Sequence, residues 1–238
     1  MVIRNLSIVM LLLVLIFAGQ VLAKPELTLK SSKFDFGYSP YNTKISHSFW
    51  LYSTGDETVN IEKVITGCGC TKAPLSTNII PPGDSALLEI IFNTNKYKNR
   101  VVKSPKIISN ASEQKITFIT NVQKEPDQTI PIVIEPEIID LSLPEYGISN
   151  KIGFTLQNLT NDNLKTSLIS FPDDLFELKL PSEIGAGKTA EGTIIIKSVN
   201  SIDKIRKSFT IELNDKNKTR VTIPIIRNSP KQLSLKKQ

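Results

Sequence analysis

The chain has 238 residues, 29 Lys and Arg against 23 Asp and Glu, a formal charge of +6, and 40% apolar residues. That modest positive balance supports solubility and weak attraction to acidic surfaces, and gives no ground for nucleic-acid binding. Two cysteines and one histidine leave a four-ligand zinc site of Cys and His one donor short.

The N-terminus reads as a secretory leader. Arg4 gives a positive start, Leu6 to Phe17 a nearly continuous apolar run, and Val21-Leu22-Ala23 a small-x-small cleavage pattern. The run is shorter than the ~20 residues that span a bilayer. Residues 1–23 are therefore expected to be a signal peptide, with an uncleaved anchor as the alternative. No cysteine stands at the cleavage site, which excludes lipid attachment there. The expected location is secreted or periplasmic, an oxidising compartment where disulfides persist.

The remaining length suits two domains of about 100 residues each. In the first, residues 24–123, Leu27 and Leu29 alternate, and Phe34-Asp35-Phe36-Gly37 is a short strand ending in a turn. Lys44 to Tyr52 is the clearest strand. Ile45, His47, Phe49 and Leu51 fall on one face, and Ser46, Ser48, Trp50 and Tyr52 on the other. Val59 to Ile65 carries the next strand to the cysteines. After Pro81-Pro82-Gly83-Asp84 come strands at Ala86–Phe92, Lys103–Ser109 and Lys115–Val122. About seven short strands without a helical period predict an immunoglobulin-like sandwich. The basic run Lys96, Lys98, Arg100, Lys103 and Lys106 reads as lysine protection of a sheet edge.

Residues 124–129 read as a linker, and 130–226 repeat the first series. Lys151–Leu156 answers Lys44–Phe49, and Ile184–Thr189 answers Ile80–Ser85. The chemistry-bearing cysteine turn has no counterpart there. Phe154 answers His47, which marks His47 as a core or boundary residue with one hydrogen bond. The stretch 227–238 is polar and basic and reads as a frayed tail. The expected fold is all-β: two tandem immunoglobulin-like sandwiches behind a signal peptide.

Thr66-Gly67-Cys68-Gly69-Cys70-Thr71 holds both cysteines. A Cys68–Cys70 disulfide is feasible because Gly69 allows the bend, but the pairing is strained. A three-residue ring gains only about 1.6 kcal/mol of loop entropy, so it is a poor staple. Four readings stay open: a strained, reducible disulfide; a paired turn without function; a soft-metal site of two thiolates; and a redox-active pair, which wants a nearby cation or helix N-terminus.

Other motifs fail. Gly185-Ala186-Gly187-Lys188-Thr189 lacks the first glycine of a phosphate loop, because Ser182 stands there, and a strand follows where a helix is needed. No Gly-x-Ser-x-Gly elbow occurs, and a lone histidine on a core face argues against a Ser-His-Asp system. Asp173-Asp174 reads as a solvated turn. No catalytic residue, metal ligand or cofactor is assigned.

Phe34–Gly37, Ile45–Phe49, Ser53–Asp56, Cys68–Thr71, Ile80–Gly83 and Phe92–Thr94 together resemble a bacterial domain-of-unknown-function family, number 1573. The resemblance covers residues 26–122, with a looser second copy after it. The family pattern has Asn where Ser53 stands, which touches a turn and little else. The resemblance implies an exported β-sandwich similar to the abnormal-spindle/hydin and major-sperm-protein domains, with no assigned reaction. Any family chemistry would map to Cys68 and Cys70.

The expected function is therefore a non-enzymatic interaction or structural module of the cell envelope. It would bind protein partners through strand edges or loops, with no nucleic acid, and would meet a membrane only through an uncleaved anchor. The alternative is a periplasmic metal- or thiol-handling protein using Cys68 and Cys70. The first reading supposes surfaces and no reactive pocket; a deep cleft drawing polar groups from both halves would end that supposition.

Overall fold

The computed structural model describes residues 23–124, 130–142, 151–197 and 204–228. Nearly all of the expected leader and linker and most of the tail lie outside them. Every regular element within them is a strand. The first half holds β1 (Leu27–Leu29), β2 (Lys33–Pro40), β3 (Lys44–Ser53), β4 (Val59–Ile65), β5 (Thr71–Lys72), β6 (Ile79–Ile80), β7 (Ser85–Asn93), β8 (Asn99–Lys103), β9 (Lys106–Ser109), β10 (Gln114–Lys115) and β11 (Thr117–Gln123). The second holds β12 (Ile132–Glu135), β13 (Ile139–Asp140), β14 (Lys151–Asn158), β15 (Leu164–Ser170), β16 (Phe176–Lys179), β17 (Glu183–Ile184), β18 (Thr189–Ile196), β19 (Ile205–Leu213) and β20 (Arg220–Arg227).

Period-two burial builds the first half. Along β7, Ala86, Leu88, Ile90 and Phe92 point inward while the residues between them meet solvent in part. β7 pairs antiparallel with β3 from Lys44↔Asn93 to Tyr52↔Ser85, so Ile45, Phe49 and Leu51 join the same core. Phe118 closes it, 6.0 Å from Phe36 and 5.2 Å from Phe92 between ring centres. Each such fully buried side chain contributes about 1.5–3 kcal/mol of transfer energy. β4 bonds to β9 and β6 in a facing sheet.

The strand expected over Lys103–Ser109 is in fact two. Pro105 has no N–H to give a ladder, and the chain changes sheets there: β8 pairs β11, and β9 pairs β4. Arg100 and Lys103 thus lie on β8, which ends the largest sheet.

The second half has its own core, centred on Phe154, Phe176, Phe209 and Ile211. β14 pairs β18 as β3 pairs β7. Arg227 is not part of a frayed tail. It ends β20 opposite Ile205 and is buried, because β19 and β20 run in register to that point.

The halves share one sheet. β20 lies parallel to β2 at Tyr38↔Val221, so the order β17-β15-β19-β20-β2-β11-β8 runs across both. This explains why β19 is buried on both faces. Phe209 and Ile211 fill the second core, while Ser208 and Thr210 face the first half. Ser208 Oγ accepts from Ser46 N and donates to Ser46 O, both at 2.8 Å. Thr222 Oγ1 donates to the Phe36 carbonyl at 2.6 Å. Gly37 sits in this seam with φ 63°. A Cβ there would lie 2.1 Å from the Arg220 carbonyl oxygen, so only glycine fits on both counts.

Candidate functional site

The cysteine turn follows β4 and leads into β5. Cys68 and Cys70 are joined by a disulfide with Cα atoms 5.2 Å apart, inside the usual range. With the sulfurs bonded to each other, neither is a thiolate ligand for a metal in this state. Among the described residues no group of three or more His, Cys, Asp or Glu side chains could hold a metal ion.

The two cysteines are held unequally. Cys70 packs against the first core, and its carbonyl accepts from Asn93 N at 2.8 Å. The next residue, Thr71, is buried and paired with Phe92. Cys68 is tied through its carbonyl, to Thr66 Oγ1 at 3.1 Å and Thr71 N at 3.4 Å. Around the turn the space is open: a Cβ on Gly67 or Gly69 would meet no atom within 4 Å.

Tyr97, which the sequence did not single out, completes the site. Its hydroxyl donates to Cys70 Sγ at 3.1 Å. Its ring lies 5.1 Å from Phe92, and Lys103 Nζ sits 4.9 Å from the ring centre. The only signal in the sequence was an aromatic residue amid the lysines of 96–103. Thr71 Oγ1 is 3.7 Å from both sulfurs.

A second place of interest is the seam. The supposition of surfaces only does not hold, because the seam opens into a cleft of about 760 Å³ drawing polar groups from both halves. A bulge in the pairing of β15 with β19, between Leu168 and Ser170, re-aims side chains. Ser170 Oγ meets His47 Nδ1 at 2.8 Å. The imidazole stacks on Phe34 at 3.5 Å and takes Phe49 edge-on at 4.8 Å. His47 is thus the boundary residue with one hydrogen bond that the repeat predicted, though the partner comes from the other half. Burial lowers its pKa from 6.5 to about 4, because the charged ring would lose water.

Lys207 Nζ and Glu89 Oε1 form an ion pair across the cleft at 2.7 Å. Asp173 and Asp174 lie on its rim in an exposed turn. Trp50 and Ile169, 43% and 38% exposed, stand on its walls with Leu87 and Phe171. Elsewhere between the halves a smaller, apolar cavity of about 120 Å³ lies between Tyr38, Pro40, Ile132 and Val221. Gly185 to Lys188 turn between β17 and β18, with Gly187 at φ 65°, and Thr189 opens the strand that the sequence placed after the failed phosphate motif.

Residues 27–123 match the model of a family described as "Protein of unknown function (DUF1573)". Over these residues the chain is similar to that family. The match begins and ends within one residue of the stretch picked out by its motifs, and the disulfide, Tyr97 and His47 all lie inside it. Among curated proteins none matches the chain. Among the solved structures that resemble it, three are described. One is a protein of unknown function from Porphyromonas gingivalis W83, with 11% identity, 85% of this chain and 99% of that one covered, and a TM-score of 0.34. Another is the YadV chaperone, with 8% identity, coverages of 83% and 97%, and a TM-score of 0.30. The third is the ASH/PapD-like domain 7 of human CEP192, with 5% identity, coverages of 42% and 87%, and a TM-score of 0.35. Likenesses at this level carry no argument about function.

Proposed function

We propose that the chain is an exported, non-enzymatic interaction module of the cell envelope, and that it docks a segment of a protein partner in the cleft between its halves. The observation behind this reading is the pair of exposed apolar walls, Trp50 on β3 and Ile169 on β15. Apolar side chains rimmed by charge are what partner-binding surfaces present. The charges here are of both signs, Lys30 and Lys33 on the first half and Asp173 and Asp174 on the second.

Three pairs of polar groups that line the cleft hold the halves together. His47 and Ser170 bond each other, Ser46 and Ser208 bond each other, and Glu89 pairs with Lys207. That use supports the non-enzymatic reading in place of the surfaces-only premise.

The test is capture of envelope proteins by the full mature chain and by a Trp50→Ala, Ile169→Asp variant. The variant is expected to lose a partner that the parent retains; equal capture removes the cleft from the proposal. A fluorophosphonate that labels Ser170 covalently would overturn the non-enzymatic part.

A further inference from the structure

We propose that Cys68–Cys70 is a thiol–disulfide exchange site that oxidises a closely spaced dithiol of another protein. Cys68 is the sulfur attacked, Cys70 the leaving group, and Tyr97 the residue that stabilises the departing charge. This inference does not rest on the docking role of the cleft, and the exchange is stoichiometric, one dithiol for each protein disulfide, so it adds no turnover to the non-enzymatic reading.

Three observations carry it. The Tyr97 hydroxyl already donates to Cys70 Sγ at 3.1 Å, and a hydrogen bond to a sulfur strengthens when that sulfur becomes a thiolate. Cys70 is the inner, core-packed member, and Cys68 is absent from that packing. The open space around Gly67 and Gly69 leaves room for an incoming thiol. Lys96 and Lys98, which flank Tyr97 in the chain, and Lys72 beyond Thr71 are exposed, and positive charge attracts a thiolate. A ring of so few residues adds little to the resistance of the bond against reduction.

The exchange runs in two steps. A substrate thiolate attacks Cys68 Sγ, forming a substrate–Cys68 disulfide and breaking Cys68–Cys70. The bonding pair stays on Cys70 Sγ, held by the Tyr97 O–H until the thiolate takes a proton from water. The second substrate thiolate then attacks the substrate sulfur and releases Cys68 as a thiolate, protonated in turn. Two substrate thiols are oxidised to a disulfide, and the protein's disulfide is reduced to two thiols.

Reduced glutathione is the probe. Full mature protein is mixed with it at pH 7, and free thiols are quenched rapidly with a maleimide before peptide mass analysis. Glutathione is expected on Cys68 and maleimide on Cys70; the reverse assignment, or equal labelling, overturns the proposal. Tyr97→Phe keeps the ring against Phe92 and removes only the donor. Its disulfide is expected to react on the order of threefold to tenfold more slowly, because a poorer leaving thiolate departs more slowly. An unchanged rate in this variant overturns the role of Tyr97. The labelling pattern of the unmutated protein is read independently of whether the variant folds.

Discussion

At the seam, Ser46 and Ser208 trade two hydrogen bonds out of contact with water, and Thr222 reaches the Phe36 carbonyl. At the cysteine turn, Thr66 and Thr71 bond beside an open flank that no side chain would fill. Both regions use small hydroxyl side chains. In the seam they replace water for groups that would otherwise be stranded, where a buried polar group left unmade costs about 1–3 kcal/mol. In the turn, water is at hand and the same bonds are worth less. The seam therefore fixes how the molecule is built, and the turn is free to change its covalent state.

The sharpest way to break that contrast is Gly37→Ala. The new Cβ would sit 2.1 Å from the Arg220 carbonyl oxygen, at a φ that disfavours side chains. A loss of roughly 3–5 kcal/mol is expected from overpacking and backbone strain together, read by urea unfolding of the mature chain. A loss below about 1 kcal/mol would mean that the seam yields easily.

Next in size is the pH response of His47. Its folded pKa of about 4 lies below the ordinary 6.5, so the unfolded chain binds the proton more readily. Stability is whole above pH 6.5 and falls as pH drops toward 4, by up to about 3 kcal/mol. Carboxylates interfere little between pH 6.5 and 5, where the slope is diagnostic. His47→Phe, matching Phe154 in the second half, should flatten the slope there; an unchanged slope assigns the pH response to other groups.

The smallest effect belongs to the turn. Replacing both cysteines by serine should cost no more than about 1.6 kcal/mol, the loop-entropy value for so short a ring, and should leave the urea m-value unchanged. A larger loss would make the disulfide a staple after all.

What the sequence revealed follows from which contacts are local. Alternation in β3 and β7, the turn at Pro81–Asp84 and the absence of a helical period could be read because each depends on neighbours two to four residues away. The cysteine turn was visible by composition alone. Tyr97 was not, because its tie to Cys70 spans 27 residues. The seam was hidden for a different reason. Ser208 and Thr210 alternate with Phe209 and Ile211 like an exposed face, and nothing local tells a serine that meets water from one that meets Ser46, 162 residues away. Ser170 was missed likewise, since a bulge aims it and bulges leave no periodic trace.

The parallel rung between β2 and β20 has a practical side. A cut near residue 124 would not release two finished pieces. It would strip β2 of a neighbour and bare the Ser46 and Phe36 backbone groups, an adhesive border for any stray chain. Whoever transplants one half into another protein must carry its mate along or redesign that border.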